Sequence, residues 1–238
     1  MKKALLSFAL TIGVCSMAFS LHETWFSVGH ERAFLVETYR FHGNTIDTST
    51  ALRGVNASTY RFFTDRTGIF VHGSLLFPTS GWVWDNDGMS NIDFTLHAMN
   101  MQIGLIMGVA FRFDFTDDFK SYLGIGLNYV TAIASYFGQG GGNVSYDRFT
   151  RTLGIGADVG LKVDVTDRFF VRLGSIVTFD FAKHTSLDIF SGTERTSSHS
   201  GWNESFFMLG LRPYISLGIN LFWIADENNR LRLATGKP

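Results

Sequence analysis

Residues 99–115 read Met-Asn-Met-Gln-Ile-Gly-Leu-Ile-Met-Gly-Val-Ala-Phe-Arg-Phe-Asp-Phe, and every second residue from Met99 to Phe115 is apolar. Between them stand mostly small or polar residues, the last two being Arg112 and Asp114. A period of two places alternate side chains on opposite faces of a β-strand. The stretch therefore predicts a long strand with one oily face and one face of glycine and charge.

The same alternation recurs along the rest of the chain. It is regular over 123–133, 153–165, 171–181 and 207–223, and acceptable over about 69–78. The composition of 22–35 and 55–64 also indicates strands, but it does not show which side chains share a face. Pro213 lies inside the last segment and predicts an edge strand or a bulge there, because proline has no N–H for the ladder. The sequence thus predicts eight strands.

The connections between the strands are of two kinds. Tight turns are predicted at Thr64-Asp65-Arg66, Thr116-Asp117-Asp118 and Thr166-Asp167-Arg168, where the aspartates can bond their own backbone. Longer polar loops are predicted at about 36–53, 79–97, 138–148 and 184–203. Short periplasmic turns and long outer loops are typical of outer-membrane barrels. Four loops and three turns connect eight strands and leave both chain ends on the turn side.

Composition distinguishes a membrane barrel from a soluble β-sandwich, whose strands also alternate. Hydrophobic residues make up 45% of the chain and charged residues 17%, with no internal apolar run long enough for a spanning helix. The second face of the strands is rich in glycine, which weakens a solvated strand but relieves crowding inside a narrow barrel. We therefore predict an all-β fold, an eight-stranded antiparallel up-and-down transmembrane β-barrel, with an aromatic girdle at its strand ends formed by Phe77, Phe113, Phe115, Phe119, Phe169, Phe179 and Trp223.

The N-terminus has the pattern of an export signal. Two lysines precede the apolar stretch 4–14, and Ala18-Phe19-Ser20 supplies small residues for a peptidase. We expect a cleaved signal peptide over 1–20, a barrel over 21–223 and a short polar periplasmic tail over 224–238. The alternatives are a buried N-terminal helix and lipidation of Cys15, the only cysteine.

Charged side chains fall on the glycine-bearing face and are expected inside the barrel. Isolated buried charges are costly, so these groups should pair with one another or meet water. The paired charges form either a structural plug or a gate for small solutes, and Asp158, Lys162, Arg172 and Arg212 are the expected middle layer. The predicted lumen network consists of Arg112, Asp114, Lys120, Asp158, Lys162, Asp164, Arg172, Asp180 and Arg212.

The segment Ser216-Leu217-Gly218-Ile219-Asn220-Leu221-Phe222-Trp223 resembles the signal in the last strand by which barrel-assembly machinery recognises its substrates. Ser216, Gly218, Leu221 and Trp223 occupy its polar, glycine, hydrophobic and aromatic positions. With the signal peptide and the strand count, the chain resembles the small eight-stranded barrels of the OmpA transmembrane domain, OmpX and OmpW. This resemblance implies the outer membrane, with membrane lipid and the assembly machinery as partners; similarity to OmpW implies a narrow channel.

Three functions remain open from the sequence. We favour a non-enzymatic outer-membrane protein whose barrel anchors surface loops for contact or envelope integrity, with a surface ligand as a possible partner. The alternative is a narrow channel for small or hydrophobic solutes. The third is a lipid-modifying enzyme, because His72-Gly73-Ser74 is similar to the His-x-Ser of lipid A deacylases, although no glutamate partner can be named. No metal spacing or cofactor motif is found, and the net charge of −1 argues against nucleic acid.

Overall fold

A computed structural model describes residues 23–41, 44–85, 88–91, 97–137, 144–191, 194–199 and 206–221. The proposed signal peptide with its cleavage site, Cys15, Trp223 and the C-terminal tail lie outside these residues. Among the residues described, no helix has the length and apolar character needed to cross a membrane. The strands are β1 (Thr24–Phe41), β2 (Asn44–Phe62), β3 (Thr67–Asp85), β4 (Gly88–Asn91), β5 (His97–Asp114), β6 (Phe119–Phe137), β7 (Val144–Asp164), β8 (Phe169–Ser191), β9 (Glu194–His199) and β10 (Phe206–Asn220).

Eight of these strands form the wall of a closed barrel. Every neighbouring pair is antiparallel, and the wall follows chain order through β1, β2, β3, β5, β6, β7, β8 and β10. The first and last strands pair with each other, which closes the sheet. The two short strands lie outside this path, with β4 pairing β3 and β9 pairing β8. The predicted eight-stranded antiparallel up-and-down barrel is confirmed.

The oily faces of the strands point outward. Leu127 is 60% exposed and Leu217 is 66% exposed, and similar side chains surround the barrel. An outward apolar band with a polar interior is the arrangement of a barrel in lipid. Of the predicted girdle, Phe113, Phe115 and Phe169 are exposed at or beside the turn-side ends of strands, whereas Phe77 and Phe179 are exposed in the middle of β3 and β8. The alternative of a sandwich core made by these apolar faces is wrong.

The glycine faces point inward and make room for large side chains. A Cβ at Gly124 would lie 2.7 Å from the ring of Phe70, and one at Gly174 would lie 2.7 Å from the hydroxyls of Tyr122 and Tyr214. Real Cβ atoms do not approach so closely. Glycine is therefore required where aromatic side chains from nearby strands lie against the inner wall.

Three tight turns join the strands at one end, as predicted, but threonine supports them instead of aspartate. The Thr64 hydroxyl accepts the N–H of Thr67 at 2.9 Å, and the Thr116 hydroxyl accepts that of Phe119 at 3.0 Å. The third turn repeats this with Thr166. A hydroxyl three residues before the returning strand thus satisfies an N–H that the ladder leaves free.

The predicted long loops are wrong in extent, because the strands continue through most of them. β1 and β2 pair as far as Phe41 and Asn44, and β7 and β8 pair as far as Val144 and Ser191. About 9–11 residues are enough for a strand to cross a membrane, whereas these strands have 18 to 23. The surplus forms paired hairpins beyond the membrane, which alternation alone did not reveal because their sequences are polar.

Pro213 does not make β10 an edge strand, because β10 pairs with both β1 and β8. The ladder with β1 instead passes from Glu31–Tyr214 to Phe34–Leu211 and omits two residues on each strand. The missing proline N–H therefore falls at a local gap in the seam that closes the barrel.

Candidate functional site

Arg172 stands at the centre of the barrel interior. Its side chain projects inward from β8 and is fully buried. The guanidinium donates to the Tyr214 hydroxyl at 2.6 Å and to the Ser27 hydroxyl at 3.1 Å, and it lies 3.4 Å from the Asp158 carboxylate. Rings of Tyr60 and Tyr122 each lie 4.4 Å from its charged carbon. Hydrogen bonds and aromatic faces thus surround this cation on several sides.

Asp158, the carboxylate beside Arg172, is also fully buried. We call Arg172, Asp158 and the side chains that contact them the central layer. The hydroxyls of Tyr60 and Tyr214 donate to the two oxygens of Asp158 at 2.5 and 2.6 Å. Nδ1 of His72 lies 3.6 Å from it. Because these partners come from β2, β10 and β3, one side chain of β7 connects opposite walls of the barrel.

A second carboxylate, Glu31 of β1, lies beside the central layer and is also fully buried. One of its oxygens lies 2.9 Å from Nε2 of His72, and the other accepts a hydrogen bond from Nε of Arg212 at 2.6 Å. Arg212 also donates to the hydroxyl of Ser74. Glu31 therefore bridges a histidine and an arginine that stand on different strands.

The end of the barrel nearest the turns holds further ion pairs. Asp164 pairs with Lys162 and, at 2.9 Å, with Lys120, and it accepts a hydrogen bond from Asn220 at 2.9 Å. Arg112 pairs with Glu23 and lies 2.9 Å from Asp114. These contacts connect Glu23, just before β1, with β5, and the end of β10 with β7, at the turn-side rim.

The opposite half of the interior is less charged. Asp180 accepts hydrogen bonds from Asn128 at 2.6 Å and from Thr152 at 3.0 Å. Lys183 pairs with Glu37. An apolar cluster lies in the same half and consists of Ala33, Leu35, Leu52, Leu76, Phe206 and Met208.

The structure groups the predicted charges differently from a single middle layer. Asp158 and Arg172 meet, whereas Lys162 pairs with Asp164 nearer the turns and Arg212 pairs with Glu31. Eight of the nine predicted side chains are buried or partly buried, Lys120 at the turn-side rim among them, and Asp114 is exposed at the same rim. Of the proposed assembly signal, Ser216 and Gly218 lie in β10, and Leu221 follows its end.

Sequence reasoning missed Glu31 and the three tyrosines, Tyr60, Tyr122 and Tyr214. Glu31 lies in the strand whose facing could not be assigned, because β1 carries polar residues on both faces. Glu31 is four residues after Ser27, so the two side chains share one face of a strand. This spacing places Glu31 inside once β1 is known to be a wall strand. Tyr122 and Tyr214 are out of phase with the oily residues Leu123 and Ile215 beside them, and a buried tyrosine hydroxyl requires a partner, which is the signal that could have found them.

The His72 and Ser74 pair does not form a nucleophile with its base in this arrangement. Both ring nitrogens of His72 face carboxylates, and the Ser74 hydroxyl bonds Arg212. An activated serine needs the base within hydrogen-bond reach of its hydroxyl. Both side chains also point into a packed interior, away from membrane lipid. Within the described residues, no group of three His, Cys, Asp or Glu side chains is placed to hold a metal ion.

Comparison with known proteins supports the fold. No protein-family profile and no curated protein matches the chain. Among solved structures, the outer membrane protein OprG from Pseudomonas aeruginosa is 12% identical, with a TM-score of 0.51 over 84% of this chain and 95% of OprG. Neisserial surface protein A is 13% identical, with a TM-score of 0.45 over 82% of this chain and 96% of its own. Ail, the attachment invasion locus protein of Yersinia pestis, is 14% identical, with a TM-score of 0.44 over 84% of this chain and 99% of its own. The chain therefore has the fold of the small eight-stranded outer-membrane β-barrels.

Proposed function

We propose that this protein is a closed, non-enzymatic outer-membrane barrel that anchors rigid surface hairpins for contact or envelope integrity. The observation that carries the proposal is the filled interior around Arg172. Arg172 and Asp158 are 0% exposed, and Tyr60 and Tyr122 are 0% and 1% exposed. Eight strands leave an interior only just wide enough for side chains. A layer without solvent contact, held by hydrogen bonds from several strands, acts as a plug.

Aromatic packing on the turn side of this layer strengthens the plug. Trp25 packs against Phe62 with ring centroids 4.6 Å apart, and Tyr60 stacks on Phe70 at 5.3 Å. The ammonium group of Lys162 lies 4.8 Å from the ring centres of both Trp25 and Phe170. A solute on the barrel axis would have to displace several packed rings, which favours a structural interior over a gate.

The hairpins beyond the membrane are the parts of the protein available to other molecules. Thr38 donates a hydrogen bond to Asp47 at 2.6 Å across the β1–β2 hairpin, and Ser197 donates one to Asp188 at 2.6 Å across β8–β9. These contacts pair polar side chains on a continuous ladder. Binding surfaces on a rigid scaffold lose less conformational entropy when they are occupied, which suits a contact function.

Planar-bilayer recording tests the closed barrel directly. We expect the purified protein to give no steady conductance, and R172A, which removes the centre of the plug, to give measurable current. R66A is the matched control, because Arg66 is exposed in a turn. Reproducible single-channel steps from the unaltered protein would show that the interior conducts and would favour the channel.

Trimming one hairpin tests the contact function. Replacing residues 38–47 by a two-residue turn should leave the heat-modifiable gel mobility of the folded barrel unchanged, because the plug lies elsewhere. Cells carrying the trimmed protein should lose surface contact, while cells lacking the barrel altogether should also become more sensitive to detergent. Full contact by the trimmed protein would remove the hairpin from the proposed function.

The apolar cluster inside the outer half of the barrel favours a second candidate, the entry of hydrophobic solutes. Its members Leu35, Leu52 and Phe206 face inward on three strands. The fluorescent hydrophobe N-phenylnaphthylamine tests this candidate. Saturable binding that L52D abolishes would support it, whereas no saturable binding would leave the cluster as packing for the plug.

A further inference from the structure

Two arginines lie on the outer wall of the barrel. Arg32 of β1 and Arg53 of β2 are exposed on the face that points toward lipid, and they are directly opposite each other in the ladder. On the same face of β1, Phe34 follows Arg32, and Val28 lies beyond His30; both are about half exposed, as is Val55 beside Arg53. The charged pair therefore lies, with His30, among apolar side chains of the outer wall.

The strand positions give the height of this pair in the membrane. Arg32 lies eight residues beyond Thr24, where β1 begins at the turn side. At about 3.3 Å a residue and a tilt of roughly 40°, this is about 20 Å from the periplasmic rim. The apolar band of such barrels is about 25 Å tall. The two guanidinium groups consequently lie in the outer leaflet, close enough to its edge for their stems to reach the head groups.

The wall itself offers this pair no counter-charge. Within the described part of the chain, neither Arg32 nor Arg53 has an ion pair, and Phe77 is the next residue across the ladder from Arg53. Like charges directly opposite on a sheet are destabilising, and so are cations on the lipid face. An anion bound between the two would offset both effects.

We infer that Arg32 and Arg53 form a binding site for the phosphate of an anionic membrane lipid. Two guanidinium groups on adjacent strands present forked donors that match phosphate oxygens. The surrounding apolar side chains favour an occupant that brings its own acyl chains, so we commit to a lipid phosphate instead of a soluble one. His30, exposed two residues below Arg32 on the same face, adds a further polar group. This inference goes beyond the proposed function and does not depend on the state of the lumen.

Native mass spectrometry of the full chain in detergent tests the site. With equimolar phosphatidylcholine and phosphatidic acid, we expect about tenfold more phosphatidic acid than phosphatidylcholine bound, as charge-assisted contacts to phosphate allow. The preference should fall in R32Q and in R53Q and disappear in R32Q/R53Q. R66Q, which removes an exposed arginine from a turn, should keep it. Millimolar inorganic phosphate should not displace the lipid.

Several results would overturn this inference. No preference in the unaltered protein would do so without any variant, so a failure of R32Q/R53Q to fold cannot obscure the answer. A preference that persists in folded R32Q/R53Q would place the lipid elsewhere. Displacement by inorganic phosphate would indicate a soluble anion as the occupant. A dimer that R32Q/R53Q separates would indicate a second copy of the chain.

Discussion

Replacing Asp158 with asparagine removes the charge that faces Arg172 and keeps the size of the side chain. Arg172 would remain a fully buried cation, and the carboxylate 3.4 Å away would be gone. Removing one partner of a buried ion pair costs about 3–5 kcal/mol, because the other charge is left uncompensated. Asp158 also accepts hydrogen bonds from Tyr60 and Tyr214. We therefore expect D158N to lower the free energy of unfolding by an amount in the upper part of this range.

Urea unfolding in phospholipid vesicles, followed by tryptophan fluorescence, measures this effect. The matched control is D117N, the same change at an exposed turn residue, and it should alter the free energy of unfolding by less than about 0.5 kcal/mol. R172M should be costly alone, whereas D158N/R172M should be less costly than the sum of the two by about 2 kcal/mol. Additive costs, or a D158N that behaves like D117N, would refute the argument that the two charges form one buried unit.

Three further predictions concern the wall and the interior. G124A should lower the unfolding free energy by about 1–3 kcal/mol, because the new methyl group meets the Phe70 ring. Adding F70L should restore part of this loss. If it restores none, the loss does not come from the contact with Phe70. L127R should lower the unfolding free energy in vesicles by about 2–4 kcal/mol, because Leu127 faces lipid. T45R, in an exposed hairpin position, should lower it by less than about 1 kcal/mol. Equal losses would contradict the assignment of Leu127 to the membrane-facing surface. S74A should leave the lipid profile of the cell unchanged, and an altered profile would support the hypothesis of a lipid-modifying enzyme.

The regular alternation of residues 99–115 was enough to predict β5, its facing and the class of fold. Two unlike faces over so many residues are compatible with few other structures. The hairpins beyond the membrane were not predictable in this way, because strands paired in water need no oily face. Their ladders follow from hydrogen bonding between neighbouring strands, which leaves little trace in a single sequence.

The interior was predicted as a set of charges but not as a set of pairs. Tyr60 and Asp158 are 98 positions apart in the chain and meet only because of how the strands are staggered around the barrel. A shift of one strand by two residues would keep every side chain on its face and change every partner. Glu31 could not be assigned for a related reason, since His30 and Arg32 beside it make the outer face of β1 polar as well.

The gap at Pro213 has a consequence for how the two ends of the chain hold together. Backbone pairing between β1 and β10 is interrupted there, and the Glu31–Arg212 ion pair spans the same two strands immediately inside. A side-chain ion pair thus connects the two strands where the backbone hydrogen bonds between them are interrupted. Because Glu31 and Arg212 stand on the two strands that close the sheet, their ion pair can form only when the barrel closes.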